Sequence, residues 1–162
     1  MNKSNSYPNF SPIFRNRPQA YANIKGSSYY PGISGMTRFY QSNYGVIVVT
    51  EINGLPMNNN ACESPVFAYH IHEGGKCEGA GDDPFAETKS HYNPNFCLHP
   101  YHAGDMPPLF GAGGYAFSVF LTDRFTTDEI IGKTIVIHRS FDDFHTQPSG
   151  AAGEKIACGV IE

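Results

Sequence analysis

Two stretches of the chain concentrate the side chains that bind metals. "HIH" at 70–72 holds His70 and His72, and "HYNPNFCLHPYHAGD" at 91–105 holds His91, His99, His102 and Asp105. Neutral imidazole is a good ligand for copper and zinc, and several rings must converge to replace a hydration shell. An isolated HxH is commonly a half-buried strand showing polar side chains to water, so the pair alone decides little. With all seven histidines between positions 70 and 145, the clustering argues for a site. His91, His99, His102 and Asp105 supply four ligands, the number a tetrahedral zinc site wants, on a loop that the metal itself would order. His70 and His72 lie two apart, so a strand places both on one face. His138, reached by the alternation of "KTIVIHR", joins them in a nitrogen-rich set suited to copper.

The elements that must position these residues read as strands. Apolar and β-branched runs recur between turn signals: "QAYANIKG", "GISGMTRFYQ", "YGVIVVTEING", "VFAYHIHE", "GYAFSVFLTD", "GKTIVIHR" and "EKIACGVIE", with a short eighth strand near "PPLFG". Turn clusters such as "YYPG", "MNNN" and "GAGG" separate them, and the one helix-like run is "TTDEII". Many short strands without alternating helices predict an antiparallel sandwich or barrel. Residues 1–17, rich in Asn and Ser, read as a flexible arm, and 18–162 as a single domain. One long break, from Gly74 to about Pro107, interrupts the strand rhythm, and a structureless stretch of that length is usually functional.

Composition narrows the function. A formal net charge of -4 without a Lys/Arg run gives no footprint for nucleic acid. No apolar stretch approaches the roughly 20 residues needed to span a bilayer. The opening "MNKSNSYPNFSPIF" has no apolar signal-peptide core. A cytoplasmic location is therefore favoured, with a secreted or periplasmic one following if a leader has been removed. No Ser nucleophile or phosphate-binding loop is evident, and "GAGG" at 111–114 reads as a hairpin turn.

Taken together, "HIHE", "HYNP", "HPYHAGD", "GKTIVIH" and "IACGVI", with "ANIKG" and "EINGLP" upstream, resemble the Cu,Zn superoxide dismutase family from about residue 20 to the C-terminus. The resemblance implies an all-β fold, an eight-stranded antiparallel Greek-key β-barrel with two long metal-bearing loops. It implies copper on His70, His72, His91 and His138, and zinc on His91, His99, His102 and Asp105, with His91 shared as an imidazolate. It further implies Asp142 as a carboxylate between His70 and His99, and a disulfide from Cys77 to Cys158. The implied activity is dismutation of superoxide, with His91 delivering a proton to departing peroxide. The assembly considered is a homodimer.

The sequence departs from the family at the channel cation, where "AAGEKIACG" supplies Lys155 in place of an arginine. Charge is kept and the planar fork is lost. A second expectation is therefore a dismutase-fold module that binds zinc and stores or buffers copper with little turnover. Cys62 and Cys97 are left as either a second bridge or two free thiols, and the insertion at 78–90 has no assigned role.

Overall fold

The computed structural model describes residues 11–58 and 65–162. The strands are β1 (Ala20–Gly26), β2 (Ser34–Ser42), β3 (Gly45–Asn53), β4 (Val66–Phe67), β5 (Tyr69–His72), β6 (Leu109–Phe110), β7 (Ala116–Thr122), β8 (Thr134–His138) and β9 (Lys155–Val160). One helical turn, α1 (Thr127–Ile130), falls within "TTDEII". It begins in a capping box in which Thr126 and Glu129 satisfy each other's backbone donors.

Seven strands form one antiparallel sheet in the order β5-β8-β9-β1-β2-β3-β7, and β4 pairs with β6 as a separate ribbon. The run "VFAYHIHE", expected as one strand, breaks at Ala68. There the Ala68 N–H donates to Ser140 O at 2.7 Å and Ala68 O accepts from His138 N at 2.9 Å. The break lets β4 leave the sheet and pair with β6, which lies against β7 at the far edge. The curled sheet is thereby bridged from β5 to β7, and two sheet edges are covered.

Period-two alternation builds the core. Ala20, Ala22 and Ile24 of β1 point inward with Phe39, Val48, Ile52, Tyr69, Ile71, Ile135 and Ile137. Tyr69 is fully buried, and its hydroxyl meets Thr37 Oγ1 at 2.6 Å and Thr50 Oγ1 at 2.9 Å, so the one phenol inside this part of the core keeps its hydrogen bonds.

β5 and β8 are buried on both faces. Their inner faces carry Tyr69, Ile71, Ile135 and Ile137, while their outer faces carry His70, His72, Val136 and His138 beneath the long loops. Residues 11–15, placed by sequence in the arm, form a 3-10 turn whose Phe14 ring meets Tyr40 edge-on at 5.7 Å.

Candidate metal centre

The loop after β5 is zipped onto that strand's free edge. Ile71 N–H donates to Gly104 O at 2.9 Å, Ile71 O accepts from Tyr92 N at 2.8 Å, and Gly104 N–H donates to Tyr92 O at 2.8 Å. Glu73 and Gly74 continue the zip to Ser90 O and Thr88 O. These bonds set His91 beside His72 and Asp105 beside His70. Glycine is required at 104, because a Cβ there would stand 2.2 Å from Ile71 O. On the other side a β-bulge between Ile137 and His138 pairs His138 with Lys155, turning the ring toward the loop.

Two groups of four result: His70, His72, His91 and His138, and His91, His99, His102 and Asp105. Within each group the ligand atoms lie within 4.8 Å of one another. Every member is buried, and His91 belongs to both.

The hydrogen bonds fix which ring atoms are free. His72 Nδ1 faces Lys89 O at 2.8 Å and His138 Nδ1 faces Gly153 O at 3.2 Å, so both rings carry their proton there. Their Nε2 lone pairs then face each other at 3.3 Å with no proton between them. His70 Nε2 donates to Asp142 Oδ2 at 2.7 Å and His99 Nε2 to Asp142 Oδ1 at 2.8 Å. Among the described residues that leaves His70 Nδ1 and His91 Nε2 buried without a hydrogen-bond partner, and sets His99 Nδ1, an acceptor in this tautomer, 3.0 Å from Asp105 Oδ2. The other nitrogen of His91, Nδ1, sits 2.7 Å from Asp105 Oδ1. Buried acceptors aimed at one another are costly unless a cation lies between them, so the donor set fits two metal ions.

Electrostatics keep these ligands in their binding form. Burial, aided by the charge of neighbouring rings, pushes His70 down to about 4 and His138 to about 3, and places His72 well below the usual imidazole value. Burial pushes the Asp142 carboxyl up, but hydrogen bonds from His70, Phe144 N–H and His99 outweigh it and hold the group at about 2. Asp105 is likewise held low, its burial outweighed by the hydrogen bond and charge of His91. Neutral rings and ionised carboxylates are what metals bind.

Three supporting residues had no signal in the sequence. Arg124 Nη1 donates to the carbonyls of Pro100, His102 and Asp105 at 3.0, 3.2 and 3.0 Å, gathering the turn that carries the second group. The Gln147 amide makes a two-point clasp on His99, accepting from its N–H at 3.0 Å and donating to its carbonyl at 2.7 Å. Asp83, from the insertion, meets Lys155. Contacts to backbone carbonyls carry no residue-type signature, so neither Arg124 nor Gln147 could be read from spacing.

A pocket of about 520 Å³ opens beside the first group, lined by His72, His91 and His138 together with Lys89, Glu73 and Lys155. Lys155, expected as a cation facing this channel, is not free. Its ammonium donates to Asp83 Oδ2 at 2.7 Å and to Phe85 O at 3.1 Å. Cys77 and Cys158 form a disulfide. Cys97 has no disulfide among the described residues, and Cys62 lies outside them. His145 is exposed in the loop after β8.

A curled antiparallel barrel carrying two adjoining histidine-rich metal sites on one outer face defines a dinuclear metalloprotein. The family model "Copper/zinc superoxide dismutase (SODC)" matches residues 33–161. Superoxide dismutase [Cu-Zn] 1 of Aquifex aeolicus is 35% identical over 144 residues, covering 79% of each chain. Superoxide dismutase [Cu-Zn] of Photobacterium leiognathi is 30% identical over 142 residues, covering 79% of this chain and 78% of that one. Among solved structures, a double mutant of a SOD-like protein from Bacillus subtilis superposes with a TM-score of 0.68 at 26% identity, covering 86% of this chain and 94% of that one. The chain belongs to the copper/zinc superoxide dismutase family.

Proposed function

We propose that this chain dismutates superoxide to dioxygen and hydrogen peroxide, with copper held by His70, His72, His91 and His138 and zinc by His91, His99, His102 and Asp105. The observation that carries the reading is His91, whose two ring nitrogens face two different ligand groups. When bound, copper supplies a one-electron redox centre that superoxide alternately reduces and oxidises, and zinc supplies a fixed positive charge.

The residues do the rest. Lys89 O and Gly153 O hold His72 and His138 in one tautomer, and Asp142 holds His70 and His99 together, so ring orientation is set before any metal arrives. His91 Nε2 has no hydrogen-bond partner among the described residues, so this nitrogen, when not coordinated, would be free to hold a proton and deliver it to a departing peroxide. His91 Nδ1, at Asp105, keeps the ring in register during that exchange. The zinc group is complete with four protein ligands, which leaves no open position for metal-assisted hydrolysis. A copper store has no need of a pocket reaching His72, His91 and His138, whereas a small substrate does.

The assembly proposed is a homodimer through the outer face of β7, where Phe117, Val119 and Leu121 are 59%, 46% and 44% exposed. Sedimentation equilibrium of the parent and Val119→Asp should give a dimer and a monomer, respectively. A monomeric parent would refute that arrangement.

The activity is tested by loading the protein with one copper and one zinc per chain and following superoxide decay. Catalytic decay that disappears when copper alone is removed supports the reading. Decay no faster than with the copper-free protein would overturn it.

A further inference from the structure

The insertion at 78–90 has a built interior. The disulfide ties Cys77, the residue just before it, to β9, and buried Phe85 packs on Val136 and Cys158. Ala80 and Asp83 form an isolated antiparallel bridge, and a Cβ on Gly79 would stand 2.2 Å from Asp83 O, so the turn is tight. Asp83 Oδ1 accepts the Phe85 N–H at 3.0 Å, which orients the carboxylate so that Oδ2 meets the Lys155 ammonium at 2.7 Å. The Lys155 side chain is only 15% exposed, and Lys155 stands opposite His138 in the β8-β9 ladder.

On the dismutase reading above, we propose that Asp83 is a built-in counter-ion that restrains the anion affinity of the copper pocket by neutralising Lys155. The charged residues lining the pocket are Lys89, Lys155 and Glu73, and Asp83 reaches it only through its contact with Lys155. The whole chain, at -4, repels an anion, so attraction must come from local cations. One of the two at this mouth is held on a carboxylate within hydrogen-bond distance. The insertion therefore sets the field that an entering anion meets, and in the same contact anchors itself to the strand next to His138. Asp83 is a positioning residue, acting on the substrate through Lys155. Its carboxyl is held low because the hydrogen bonds from Lys155 and Phe85 N–H overcome its partial burial, which favours the carboxylate form of Asp83.

Azide, a small anion that binds copper(II) and changes its visible absorption, reads this field without turnover. Asp83→Asn suits the test because its amide oxygen can still accept from Phe85 N–H and preserve the turn. At low ionic strength Asp83→Asn should bind azide about two- to fourfold more tightly than the parent, the scale for unmasking one unit charge at a solvated pocket. Lys155→Met should weaken binding, and in the Lys155→Met background Asp83→Asn should lose most of its effect. Equal effects of Asp83→Asn in both backgrounds would overturn the proposal, since Asp83 would then act only as one more negative charge. A lowered melting temperature with unchanged azide affinity would also overturn it, leaving a purely structural anchor. A parent that binds azide but does not remove superoxide would count against the dismutase reading and leave the azide comparison intact.

Discussion

Each ring of the first group has one nitrogen committed to the protein or to the second metal, and one nitrogen left over. That division assigns the roles and yields the sharpest mutational prediction. His138 belongs only to the first group, so His138→Ala should lose copper and keep zinc by elemental analysis. Equal loss of both metals would contradict it. The members of the two candidate groups stood out in the sequence because the histidines cluster between positions 70 and 145. Arg124, Gln147 and Asp83 did not, since their work is done on main-chain atoms or through a salt bridge 72 residues apart.

The depressed imidazoles also fix the pH behaviour of the metal-free protein. His70 and His138 protonate at about 4 and 3 in the folded state and near 6.5 unfolded, so the unfolded chain binds protons first. Above pH 6.5 neither state is protonated and nothing is lost. As pH falls below 6.5, stability drops, by about 3 kcal/mol at most from His70 alone once both states are protonated. Asp142 adds a further loss lower down, because the stability of its carboxylate is present above its unfolded value of 3.8 and disappears toward about 2. Urea midpoints of the metal-free protein should therefore fall steadily from pH 7 to pH 4. A midpoint independent of pH in that range would contradict the buried neutral state of these rings.

At the scale of elements, one loop does the assembly by adding to the edge of β5, and a second loop closes over it. Gly150 lies in that second loop at φ 69°, and a Cβ there would stand 2.0 Å from Asp142 Oδ1. The loop can thus approach the carboxylate only with glycine at this place. Arg124 holds the first loop by hydrogen bonds to three main-chain carbonyls. Arg124→Ala should weaken zinc binding by about 10-fold or more, the usual scale for groups that orient metal ligands, while the far-ultraviolet spectrum stays that of the parent. Unchanged zinc affinity would remove Arg124 from the site.

The strands themselves were readable from alternation and turn residues, and each expected run overlaps an observed strand. The break at Ala68 was not, because it arises from Ser140 and His138 on another element. Nor did the pattern show that β5 is covered on both faces. Two histidines on an outer face read equally as solvated until the loops above them are in place.

Across the whole molecule, the disulfide ties the long loop after β5 to the barrel, and metals on the two ligand groups would add further ties. Cys77 and Cys158 are separated by 81 residues, a closure that contributes about 4 kcal/mol in the chain-entropy description. Replacing both with serine should lower the melting temperature by roughly 10 °C in a domain of this size. A change below a few degrees would show that the barrel alone fixes the loop. Within the segment expected as an arm, Phe14 packs on Tyr40.

In the proposed site one imidazole, His91, serves two different metals. Anomalous diffraction at the copper and zinc absorption edges, from crystals of the doubly loaded protein, tests it in one measurement. The expected result is a copper peak among His70, His72, His91 and His138, a zinc peak among His91, His99, His102 and Asp105, and the His91 ring between the two. A single peak, the same element at both positions, or a His91 ring bound to neither metal would contradict it.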